Sequence, residues 1–224
     1  MSADLGTLSA TAFIVGLIHC ACGPDHYVPF VAMSRVGLWS LRKTLFITAL
    51  CGIGHVAGSA LLGFIGIAFG LILFQLESAE QIRGDAAGWI LAGFGAIYFV
   101  WGLVWAIRNR RLLLDTAEQS PEKATKMTPR TGSLTPWVLF AVFLFGPCEP
   151  LIPLLMYPAA QANVWNVICV TAVFGITTLV TMLTLVVVIY NGFSAFRFQW
   201  AHVYAHAMAG GMVLVCGVAI LLGL

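Results

Sequence analysis

The chain has 224 residues, of which 60% are apolar (AVILMFWYC) and only 9% are charged. A soluble domain carries about 25% charged residues, so a water-soluble enzyme is excluded, as is a disordered chain, which needs low hydrophobicity and high net charge. A net charge of +2 argues against a nucleic-acid partner, which calls for a basic patch or stripe; at a mean hydropathy of +0.96 the solvent for most of this surface is lipid.

A helix needs about 20 apolar residues to cross a bilayer. Six stretches qualify: 8–33, 44–74, 87–107, 135–158, 164–190 and 200–223. All are too long and too rich in Ala, Leu and Gly to be barrel strands. The first begins without a basic n-region in Met1–Ala10, so it reads as a retained span and not a cleaved signal. It is interrupted by Gly23-Pro24-Asp25-His26-Tyr27-Val28-Pro29. The second is long enough to tilt or break and places Cys51, His55 and Ser59 on one face. Arg83 then lies in a loop beside Glu77, Glu80 and Asp85. The third span carries Gly95 and Gly102. Segment 108–134, basic at first and then rich in Ser, Thr, Pro, Glu and Lys, reads as a mobile connector. The fourth span contains Gly146-Pro147-Cys148-Glu149-Pro150-Leu151-Ile152-Pro153, and the sixth carries His202, His206, Gly210 and Gly217. Trp39, Trp137, Trp165 and Trp200 fall near span ends, as interfacial aromatic belts do.

Basic residues set the orientation. Arg35, Arg42 and Lys43 follow the first span; Arg108, Arg110, Arg111, Lys123, Lys126 and Arg130 follow the third; Arg197 follows the fifth. The positive-inside rule makes those loops cytoplasmic and both termini external. The expected fold is a single all-α membrane domain, 1–224, with three spans in 1–107, a cytoplasmic linker over 108–134 and three spans in 135–224. An odd number of spans inverts the second half, and inverted repeats mark transporters. The two Gly-Pro breaks, at matching places in the first and fourth spans, support the repeat. A proline in a helix frees a carbonyl and bends the chain, and in lipid such backbone must face protein, water or an ion. A midplane site between the two breaks is the expectation.

Ionisable groups inside a membrane are costly and usually functional. All five histidines, His19, His26, His55, His202 and His206, fall inside spans, whereas only Asp25 and Glu149 among the nine acids do so. Imidazole, thiol and carboxylate together suit a borderline transition metal. The candidate ligands are His19, Asp25, His26, His55, Cys148, Glu149 and His206. The plainer alternative is a buried hydrogen-bond cluster that locks the kink. Cys20, Cys51, Cys169 and Cys216 read as packing residues.

The chain resembles the UreH-like branch of the nickel/cobalt transporter superfamily in His19-Cys-Ala-Cys-Gly-Pro-Asp25-His26, in Gly52-Ile-Gly54-His55 and in the Gly146–Pro153 stretch. In classical permeases a His, four residues and then Asp-His read the metal; here five residues intervene. The resemblance implicates His19, Asp25, His26 and then His55. Cys148 in its proline context also resembles the membrane thiol-reductase relatives of cytochrome c maturation, in which proline-flanked cysteines of the first and fourth helices relay electrons.

The reading that follows is an inner-membrane secondary transporter and not an enzyme. It has no tightly bound cofactor and carries a divalent metal, with nickel or cobalt favoured through the resemblance and zinc or iron as other candidates. It would act alone, as a homo-oligomer or with a partner subunit. No phosphate-binding loop is present, and inward movement of positive charge gains about 2.3 kcal/mol per charge per 100 mV. A transmembrane thiol-disulfide relay pairing Cys148 with Cys20 or Cys22 is the alternative. A small-anion exporter is the third, disfavoured because no Arg or Lys lies deep in a span.

Overall fold

In the computed structural model, all regular elements among the described residues are helical. The structure describes residues 2–70, 73–119, 134–146, 148, 150–160, 163–195 and 204–223. Four helical segments are long and apolar enough to cross a membrane: Leu5–Cys22, Leu41–Ala68, Gln75–Asn109 and Val164–Gly192. Shorter apolar helices cover Pro136–Phe145 and Ala205–Leu221. Large side chains such as Phe46, Ile97, Trp137 and Val188 stand exposed around the outside, which in water would be prohibitive and in lipid is the stable arrangement. The protein is a multi-pass, all-α membrane protein.

Helix α1 (Ser2–Cys22) stops at Gly23, because a residue before proline is driven out of the α region and Gly23 is extended at φ −87°, ψ 93°. A single 3-10 turn, Pro24–His26, follows, and α2 (Val28–Val36) restarts with Pro29 in its first turn, where proline loses nothing. Ser40 caps α3 (Leu41–Ala68) by accepting the Lys43 N–H at 3.3 Å, and Gly70, at φ +66°, turns the chain after it. The second span therefore ends at Ala68, six residues short of the end of its apolar stretch. Trp39 is not in an interfacial belt: it is buried, and its carbonyl accepts the Tyr190 hydroxyl at 2.9 Å. Trp137 and Trp165 are exposed, as a belt requires.

Helix α4 (Leu73–Gln119) corrects two expectations. The acidic stretch around Arg83 is helix, not loop, and helix also takes the first part of the expected linker, to Gln119. No proline falls within this run, and the Glu80–Arg83 ion pair, at i and i+3 and 2.9 Å, lets the charged turn stay helical. Beyond the break after α5 (Leu134–Phe145), α6 (Leu151–Ala160), α7 (Val164–Ala195) and α8 (Ala205–Leu221) complete the chain.

The main packing joins the two halves of the sequence. Helix α1 lies on α7, α3 on α5 and α7, and α4 on α8. A Cβ at Gly16 would sit 3.2 Å from the Phe174 carbonyl, one at Gly54 3.2 Å from the Phe140 ring, and one at Gly52 2.9 Å from Leu179. Helices α4 and α8 run antiparallel with backbones touching. Cβ atoms at Gly95, Gly210 and Gly217 would each lie 2.7 Å from a Cα, of Leu214, Phe99 and Ala92 respectively, and one at Gly102 would lie 2.6 Å from the Ala207 nitrogen. The seven-residue spacing of these glycines, legible in the sequence, is thus the contact line between α4 and α8. Small residues permit such approach where lipid supplies no hydrophobic drive between helices.

Candidate metal centre

Three imidazoles converge where the first span is broken. One ligand nitrogen from each of His19, His26 and His55 lies within 4.8 Å of the others. The His19 and His26 rings are 4.7 Å apart at 82°, and His26 and His55 are 5.2 Å apart at 89°. His19 comes from the end of α1, His26 from the 3-10 turn and His55 from the middle of α3. The Pro24 bend folds His26 back towards His19. Cys51, His55 and Ser59 share the buried face of α3, but only His55 reaches the cluster.

The outer nitrogens are fixed. His26 Nδ1 lies 3.2 Å from Asp25 Oδ1, and His55 Nδ1 lies 3.2 Å from the Phe143 carbonyl. A carbonyl oxygen only accepts, so His55 carries its proton on Nδ1; an ionised Asp25 imposes the same tautomer on His26. Each ring then turns a lone pair on Nε2 inward. These two Nε2 atoms are buried and make no hydrogen bond. An imidazole whose far N–H is given to a carboxylate or a carbonyl is the usual state of a metal-ligating histidine. Bonds of about 2.0–2.1 Å to an ion would draw the three rings inward by less than about 1 Å each.

Both Gly-Pro breaks touch this cluster. A Cβ at Gly23 would sit 2.6 Å from His26 Nδ1 and 2.9 Å from Asp25 Oδ1, and one at Gly146 would sit 3.3 Å from His55 Nδ1. At Gly23 only glycine allows so close an approach without a shift, whereas at Gly146 a Cβ would make the neighbours give by a few tenths of an ångström. A small cleft lined by Asp25, His55, Leu91, Val142, Phe143, Gly146 and Ile220 opens beside them. Cys148, fully buried in the break between α5 and α6, places Sγ 4.0 Å from His19 Nε2.

The other sequence candidates fare differently. Asp25 acts behind His26 as its hydrogen-bond acceptor and is outside the ligand triangle. Glu149 and His202 lie outside the described residues. His206 is buried elsewhere, with Nδ1 2.7 Å from the Tyr98 hydroxyl and its ring edge-on to Trp101 at 5.2 Å; it is not among the converging imidazoles. Cys20, Cys51 and Cys216 are buried in the apolar core, Cys22 is exposed, and all six cysteines are free.

Glu80 and Arg83 escaped the sequence reading. Glu80 is 1% exposed, so an acid that the sequence reading placed outside the spans is buried inside the fold. Arg83 donates to the Leu144 carbonyl at 2.9 Å and is paired with Glu80. A Cβ at Gly58 would lie 2.9 Å from the Arg83 guanidinium. The signal was present: an acid three residues before a solitary cation. Adjacent carbonyls at the broken end of α5, Phe143 and Leu144, are therefore held by His55 and Arg83. Arg83→Leu removes the cation that is ion-paired with the buried Glu80 carboxylate, and breaking such a pair costs about 3–5 kcal/mol. A correspondingly lower melting temperature in detergent is expected; an unchanged one would show that the pair adds no stability.

No curated protein and no solved structure matches this sequence. The resemblance to nickel/cobalt permeases thus finds no support in these comparisons. A family described as the cytochrome c biogenesis protein transmembrane region matches residues 8–219, a span that includes both broken helices and all three clustered histidines. The chain belongs to the cytochrome c biogenesis transmembrane-region family.

Proposed function

We propose that this membrane protein binds a transition-metal ion at His19, His26 and His55 and carries it across the bilayer. The observation that carries the reading is the pair of buried, unpartnered Nε2 atoms on His26 and His55, each opposite a fixed Nδ1–H. An unmet buried donor or acceptor costs about 1–3 kcal/mol, and a bound ion is what relieves it. Asp25 holds His26 in place and offsets positive charge. The finer topology belongs to the same proposal: six spans in two inverted halves, both termini outside the inner membrane, with the ion at the meeting of the two breaks.

The family description favours a second reading, transmembrane thiol-disulfide exchange, which it fits more closely than metal transport. Cys148 stands in a proline-flanked break as such a relay needs, with Cys20 or Cys22 as its partner. A disulfide requires Cα atoms within about 7 Å. The anion reading gains a candidate in Arg83 and loses it again to Glu80, which neutralises it.

Sealed proteoliposomes loaded with a metal-sensitive dye decide between them. Flux of a transition-metal ion that is lost in His55→Ala supports transport. No flux of any ion, together with a mixed disulfide trapped between Cys148 and a thioredoxin-type partner, would replace it with the thiol relay.

A further inference from the structure

Resting on the metal reading above, we infer that the ion this site takes is a soft monocation, copper(I), and not a divalent ion. Three features of the cluster point to it. The first is donor type. The set is three imidazole nitrogens with a thiol beside them, Cys148 Sγ at 4.0 Å from His19 Nε2. Sulfur donors select copper(I) or zinc, and hard ions want oxygen. Asp25, the carboxylate nearest the rings among the described residues, has Oδ1 engaged by His26.

The second is coordination number. His19 and His55 are nearly parallel, at 6.5 Å and 8°, with His26 edge-on to both. Three nitrogens within 4.8 Å of one another offer a three-coordinate set, and Cys148 Sγ, 4.0 Å from His19 Nε2, is a further donor beside it. Nickel(II) prefers a square-planar or tetragonal set. A filled-shell ion, copper(I) or zinc(II), has no such demand and accepts three or four donors, so coordination disfavours nickel and charge separates the other two.

The third is charge. The rings are walled by Phe143 and Phe174, with centroids 6.1 Å from His55 and 6.2 Å from His19. The energy of placing an ion in such a medium rises with the square of its charge, so a dication costs about four times as much as a monocation. Two neutral imidazoles and His26 with its Asp25 carboxylate supply one negative charge. With Cys148 still carrying its proton, a monocation makes that assembly neutral, whereas a dication is neutralised only if the thiol ionises as well.

The test uses the purified full chain in detergent under anaerobic conditions. Copper(I) is offered as its bicinchoninate complex, and nickel(II), cobalt(II) and zinc(II) are offered in parallel. Copper(I) should transfer to the protein one to one. That transfer should be lost in His55→Ala and His26→Ala, and weakened in Cys148→Ser. X-ray absorption of the wild-type copper complex reads the donors without any variant and should show nitrogen with sulfur around the metal. A divalent ion that binds through the three histidines and excludes copper(I) would overturn this inference and leave the metal reading standing. No binding of any ion, or binding indifferent to the histidines, would overturn both.

Discussion

His55→Leu should leave metal transport undetectable in proteoliposomes while the apoprotein melts no lower than the wild type. The opposing outcomes follow from one set of contacts. His55 is buried, its Nε2 has no hydrogen-bond partner, and its Nδ1–H goes to the Phe143 carbonyl. Leucine removes the unmet nitrogen. It does not strand the carbonyl, because Phe143 also accepts the Gly146 N–H at 3.2 Å. Replacing an unsatisfied polar group by an apolar one of similar size is neutral or stabilising, and loss of function with gain of stability is characteristic of a strained or unsatisfied site. If His55 instead belonged to a hydrogen-bond cluster that merely locks the kink, the same change would lower the melting temperature and spare the flux. A fall in stability with flux intact therefore refutes the metal site. Asp25→Asn gives a graded companion result: the His26 ring loses its anionic acceptor, and affinity should fall about 10–100-fold, read by metal titration.

Gly95→Ala and Gly93→Ala should act in opposite directions, although they are two residues apart on α4. A Cβ at Gly93 meets nothing within 4 Å, whereas one at Gly95 would lie 2.7 Å from the Leu214 Cα. At Gly93, alanine gains about 0.5–1 kcal/mol through its higher helix propensity. At Gly95, the obstruction is backbone, which no rotamer change can clear, so α4 and α8 must separate along their length. Overpacking in a core typically costs about 1–3 kcal/mol; leucine at Gly95 or Gly210 should exceed that and abolish the monodisperse peak on size exclusion in detergent. Equal melting temperatures for the two alanine variants would mean that α4 and α8 are not in backbone contact.

Much of this protein is written in its sequence, and for identifiable reasons. An apolar run long enough to span a bilayer can only be helix there, because no water is present to satisfy an open backbone. Proline fixes breaks locally, so the interruption at Gly23-Pro24 could be placed to the residue; the cost of burying imidazole marked all five histidines, and only the fold shows that His19, His26 and His55 converge. Charge was a poorer guide in the 73–119 run. Arg83 and Glu80 look like loop residues when read alone, because the sequence does not show that they neutralise each other or that a free carbonyl at Leu144 awaits the guanidinium.

Partner choice between helices was decided only by the tertiary structure. Gly95 with Gly102 and Gly210 with Gly217 are equally spaced in the third and sixth spans, but only the fold shows that they face one another across α4 and α8. Likewise, no local pattern tells that the Phe143 carbonyl fixes the His55 tautomer from 88 residues away, or that His206 turns to Tyr98 and Trp101 instead of joining the other imidazoles. Sequence determines which groups are too costly to leave in lipid. Three-dimensional packing determines which of them meet, because a hydrogen bond or a metal site depends on distances between segments that the chain order does not contain.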